Sequence, residues 1–156
     1  MKDVGVIFEI PNEYGKYLSE ILEPLPVSLY DWVIDNDEIH LVDNDEFSNK
    51  FLFNENVMIS GEKLYETSKT NTYYMVFVTL KGFFKDGHIK DISNYEEFLK
   101  SDCQIILGVY DCSQVMFWCK DSNLISNMYV YVQSKGYENV GYINEKEVNE
   151  GKYRIE

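Results

Sequence analysis

The 156-residue sequence predicts an α+β fold, a largely antiparallel sheet with three to four helices packed on it. Three observations carry that expectation. Short apolar runs are joined in pairs by Asp, Asn and Ser turn chemistry, as in hairpins. Between them stand stretches whose apolar residues recur at the spacing of one helix face. Strict strand–helix–strand alternation is missing, which argues against a parallel, doubly wound sheet.

The elements follow in chain order. Val4 to Ile10 reads as a strand that Pro11 stops, because proline lacks the N–H a ladder needs. Tyr14, Tyr17, Leu18, Ile21 and Leu22 form one helical stripe, with Asn12 as N-cap and Pro24 and Pro26 beyond its end. Leu29–Ile34 and Glu38–Val42 flank Asp35-Asn36-Asp37 and read as a hairpin. Residues 44–59 look irregular, with Phe47, Phe51, Leu52 and Phe53 pinning a long loop to the core. Ser60 to Lys69 is a short helix carrying Leu64 and Tyr65.

Tyr73 to Leu80 is apolar on both alternations, the pattern of a strand covered on two faces. Ser93 with Glu96 makes a capping box for a helix to Lys100. Gln104–Tyr110 and Gln114–Lys120 bracket the three-residue loop Asp111-Cys112-Ser113. Asp121 or Ser122 caps a helix bearing Leu124, Ile125, Met128, Tyr131 and Val132, which Gly136 ends. Val140 to Ile143 is the last core strand. Residues 1–143 thus read as one globular domain, and 144–156 as a polar, ragged C-terminal tail.

A chain of this length buries about 70% of its unfolded surface, so neither metal nor disulfide is needed to hold it. Twenty-seven acidic residues against fourteen basic ones give a formal charge of −13, with one arginine, Arg154. That balance argues against nucleic acid and anionic membrane, which require a basic footprint. No run approaches the roughly 18 apolar residues of a membrane span. The opening residues lack the pattern of a secretory leader. An odd count of three cysteines gives no disulfide framework, so a cytoplasmic location is expected.

The chemistry-bearing motifs are few. Asp35-Asn36-Asp37-Glu38 and Asp43-Asn44-Asp45-Glu46 invite a calcium reading. An EF-hand needs an oxygen ligand at position 5 and Gly at 6, where this chain has Ile39 and His40, or Phe47 and Ser48. Solvated turns explain both clusters better, and no metal is expected. Cys112 has Asp111 beside it, which disfavours a thiolate, and no motif positions His40 or His88 against it. Phosphate-cradling, nucleophile-elbow and metalloprotease motifs are missing, so no catalytic residue and no cofactor are assigned.

Segments spread along the chain carry a resemblance: Phe8-Glu9-Ile10-Pro11-Asn12-Glu13-Tyr14-Gly15, Tyr95-Glu96-Glu97-Phe98-Leu99-Lys100-Ser101-Asp102-Cys103, and Lys135-Gly136-Tyr137-Glu138-Asn139-Val140 with Tyr142-Ile143. In them the sequence resembles an uncharacterised, full-length family of low-GC Gram-positive bacteria. That family has no assigned activity, so the resemblance implies no site residue.

Two functions from different classes follow. The first is a non-enzymatic acidic protein that binds a basic protein partner, as an immunity protein or inhibitor does, through Asp35, Asp37, Glu38, Asp43, Asp45 and Glu46. The second is a small-ligand or hydrolytic pocket lined by Tyr and Trp with a few carboxylates. The enzyme reading has the less support, and the oligomeric state stays open.

Overall fold

The computed structural model describes residues 2–54 and 58–155. Its elements are β1 (Asp3–Glu9), α1 (Tyr17–Leu22), β2 (Tyr30–Asp43), β3 (Glu46–Phe51), β4 (Met58–Ser60), α2 (Gly61–Thr70), β5 (Tyr73–Phe84), α3 (Tyr95–Leu99), β6 (Cys103–Tyr110), β7 (Gln114–Cys119), α4 (Ser122–Ser134), β8 (Glu138–Asn144) and α5 (Glu145–Asn149). The strands form one sheet in the order β3-β2-β5-β6-β7-β1-β8, with β4 also paired to β2. Every pairing is antiparallel. The α+β class holds, with five α-helices where three to four were expected.

Strand alternation sorts the side chains onto two faces. Val6, Phe8, Trp32, Leu80, Leu107 and Phe117 point to the first face, where Leu18 and Ile21 of α1, Leu64 of α2 and Met128 and Val132 of α4 seal the larger core. Ile106, Met116 and Trp118 point to the second, where Tyr95 and Phe98 of α3 and Val148 of α5 form a smaller one. β5 and β6 lie mid-sheet, in keeping with the apolar residues on both alternations between Tyr73 and Leu80.

Several expectations need correction. Asp35-Asn36-Asp37 is no hairpin turn. β2 runs through it, and the register slips there, from Asp35 opposite Thr79 to Asp37 opposite Val78, and again between Glu38 and Ile39. Asn36 takes up the extra residue in left-handed backbone (φ 48°), which asparagine tolerates better than most residues. The long partner β5 makes a bulge cheaper than a turn. The chain reverses instead at Asn44 and Asp45, both left-handed (φ 52° and 61°), with Asp43 opposite Glu46. Two consecutive left-handed residues match the twist of a tight hairpin.

The segment expected to be irregular thus contains β3 and β4, while residues 55–57 lie outside the described residues. The first helix begins at Tyr17, not after Asn12. Gly15 exchanges backbone hydrogen bonds of 3.1 and 3.0 Å with Tyr73, and that bridge holds the preceding residues extended. In α3 the cap is Asn94, whose side chain accepts from the Glu97 N–H, one residue later than the Ser93–Glu96 box.

The segment from residue 144 is not ragged. Asn144 and Glu147 form a capping box for α5, Val148 is buried, and Tyr153 and Ile155 pack on the second core. By contrast, α4 matches its expected caps, with Asp121 at the N-terminus and Gly136 left-handed (φ 77°) just past the end.

The β2–β3 arm as candidate binding face

β2 and β3 close one edge of the sheet, and β3 pairs with no strand on its outer side among the described residues. Between Tyr30 and Phe51 stand seven carboxylates and one lysine, Lys50. The six carboxylates singled out from sequence do not form one patch. Asp35 and Asp43 are eight residues apart on a single strand, roughly 25 Å at the usual rise. Asp35, Asp37 and Glu38 gather at the bulge, while Asp43, Asp45 and Glu46 stand exposed at the hairpin tip.

Their environments differ too. The Asp35 carboxylate accepts at 2.8 Å from the ammonium of Lys81, a side chain only 5% exposed. Burial raises the Asp37 carboxyl above its ordinary pKa, against the lowering effect of a hydrogen bond from its own backbone. Glu38 meets His40 Nε2 at 2.9 Å, while His40 Nδ1 lies 3.1 Å from the Ser48 carbonyl. Both ring nitrogens are therefore engaged within the arm. Asp35 belongs to the fold, and the free charge sits at the tip.

Between the two acidic groups runs a chain of aromatic rings that sequence reading missed. His40 lies against Phe47 (centroids 4.0 Å apart) and Phe51 (4.9 Å); Phe47 meets Tyr74 edge-on at 6.0 Å, and Tyr74 meets Tyr14 at 5.9 Å. Phe47, Phe51 and Tyr14 are 47%, 42% and 43% exposed. Phe47 and Phe51 do not pin a loop to the core; only Leu52 and Phe53 do. The available signal was their i, i+4 spacing, which puts both rings on one face once the segment is a strand. A Cys112 hydrogen bond, with burial adding to it, holds the Tyr74 phenol above its ordinary pKa.

Other features carry less. The His40–Cys112 dyad is not formed, since Ser48 and Glu38 occupy the imidazole. His88 is exposed, and its backbone N–H donates to Asp102. Cys103 and Cys119 are buried, and burial pushes their thiols up to about 12 and about 11. Among the described residues no group of three or more His, Cys, Asp or Glu side chains is arranged to hold a metal. Nor is any described helix long and apolar enough to cross a membrane.

Residues 3–154 match the model of a protein family of unknown function, DUF2691. The chain is also similar to the uncharacterized protein YncE of Bacillus subtilis (strain 168), 34% identical over 142 residues that cover 91% of this chain and 92% of the relative. No solved structure matches it.

Proposed function

As the chain belongs to the DUF2691 family, which brings no activity with it, we propose from its own surface that it is a non-enzymatic binding protein for a basic segment of another protein. One observation carries this reading: an exposed row of aromatic rings lies between two groups of carboxylates on an open-edged strand. Exposed aromatic clusters of this kind are common interaction sites, because they bury large area at little rotamer cost. Carboxylates on either side favour Lys and Arg in the partner, which also lie well over aromatic faces. The unpaired edge of β3 offers backbone groups to an added strand. An immunity protein or inhibitor acting on a basic protein is one instance. Three unpaired cysteines support a reducing cytoplasm as the compartment.

A labelled peptide alternating Lys or Arg with Val or Leu is the probe, with its Glu-substituted counterpart as control. Binding is expected to weaken steeply as screening shortens from about 10 Å at 0.1 M salt to about 3 Å at 1 M. Phe47→Ser with Phe51→Ser, or Asp43→Asn with Asp45→Asn and Glu46→Gln, should each weaken it about tenfold or more, the size of a modest hot spot. Neutralising Glu96 and Glu138 elsewhere should not. Equal binding of the acidic peptide, or indifference to both arm variants, would refute the reading.

A further inference from the structure

The second sheet face carries a different kind of site. A cleft of about 440 Å³ opens between the end of β1, the β6–β7 turn and the C-terminal segment 151–154. Its floor is apolar. Ile7 and Met116 stand directly opposite each other there. Beside them, the Tyr110 ring lies over Gly108, where a Cβ would come within 2.5 Å of the Tyr110 hydroxyl. That hydroxyl is 2.8 Å from Thr79 Oγ1, in buried surroundings, so the ring is fixed.

The rim is charged with both signs. Glu9 and Asp111 supply two carboxylates and Arg154 the chain's one guanidinium. Glu9 is steadied by a hydrogen bond from the Asn139 amide. Arg154 Nε donates to the Gly151 carbonyl at 2.8 Å, which orients the guanidinium and leaves its Nη groups available. The Asp111 carboxylate and the Gln114 amide have no partner among the described residues. Asp111 is left-handed (φ 50°) in the tight β6–β7 turn, so its position is set by the backbone.

We propose that this cleft binds a small zwitterion of the α-amino-acid type, free or as a dipeptide. A simple anion would meet two carboxylates, and a simple cation would meet Arg154. A ligand with an ammonium toward Glu9 and Asp111 and a carboxylate toward Arg154 satisfies all three. Its apolar side chain covers Ile7, Met116 and Tyr110. The volume falls in the range of small-molecule sites, and a fixed apolar floor with few convergent polar groups is their usual make-up.

The test follows the Met116 methyl resonance in protein carrying ¹³C-methyl methionine, assigned with Met116→Leu, during titration with leucine and with Leu-Gly. At least one should shift it saturably, and the better ligand decides between free amino acid and peptide. Acetylating the amine or amidating the carboxylate should weaken binding at least tenfold each, as expected for charge-assisted hydrogen bonds. Arg154→Gln should weaken the free-carboxylate ligand and leave the affinity for its amide unchanged. Arg154 is exposed, so this variant does not threaten the core. No saturable shift with either ligand, or a shift that survives blocking both termini, overturns the proposal.

Discussion

Asp35→Asn should destabilise this protein more than Lys81→Met, although the two residues form one ion pair. Lys81 is 4% exposed, and its ammonium donates to Asp35 Oδ2 at 2.8 Å and to the Ile92 carbonyl at 2.9 Å. The Asp35 side chain is 51% exposed. Removing the carboxylate charge strands an ammonium inside the protein. Removing the ammonium leaves a carboxylate that water can still reach.

Breaking a buried pair by removing one partner costs about 3–5 kcal/mol. The half-open side of this pair lowers that to about 2–3 kcal/mol for Asp35→Asn, since solvent screens part of the lost attraction. Lys81→Met keeps the volume and deprives the Ile92 carbonyl of its donor, a cost of about 1–3 kcal/mol that loss of the desolvation penalty partly offsets. A net of about 1 kcal/mol follows. In the double variant no stranded charge remains, so it should resemble Lys81→Met alone. Urea unfolding with a common m-value measures all three. An Asp35→Asn no worse than Lys81→Met would refute the reasoning, and with it the assignment of Asp35 to the fold and not to the partner face.

Four further outcomes are expected. Trp32 and Trp118 are equally buried, yet Trp32 Nε1 donates to the Val27 carbonyl at 3.0 Å while Trp118 Nε1 has no partner among the described residues. Trp118→Phe should therefore cost at least about 1 kcal/mol less than Trp32→Phe in thermal or urea unfolding, the worth of a buried indole hydrogen bond. Gly61→Ala places a Cβ 1.7 Å from the Val27 carbonyl oxygen, which is backbone and cannot step aside. Its loss should exceed the roughly 1–3 kcal/mol of ordinary overpacking, seen as a large fall in the denaturation midpoint.

Cys103 and Cys119 have folded thiols raised to about 12 and about 11. A raised acid is held neutral in the fold, so its contribution is complete below the unfolded value near 8.5 and fades as pH climbs toward the folded ones. Stability should fall from about pH 8.5 upward, less steeply in Cys103→Val. At pH 8 a thiol reagent should modify Cys112 alone in native protein and all three cysteines only after unfolding.

Much of the fold was legible where local signals agree with one another. α4 carries its stripe, its Asp121 cap and its Gly136 terminus within sixteen residues, and all three hold. The β6–β7 hairpin and the central β5 were equally readable from alternation and turn residues. Expectation failed where one local signal serves two structures. Asp35-Asn36-Asp37 is as good a bulge as a turn, and only the length of β5 beside it decides. The helical stripe starts at Tyr14, and the Gly15–Tyr73 bridge overrides its first turn. Of the site, the carboxylates could be read directly, but the aromatic row could not. Its members come from the 12–15 segment, β2, β3 and the start of β5.

By itself, then, the sequence determined the class of fold, most of the helices and strands, the apolar residues they must bury and the −13 charge. These depend on composition and on spacing within a dozen residues, which a chain carries before it folds. Only the tertiary structure decided which carboxylates are free, which rings face solvent and that Arg154 stands over the same cleft as Glu9 and Asp111. Those are juxtapositions across the sheet, set by strand register and order. Register is chosen by the packing of the whole molecule, so no single segment contains it.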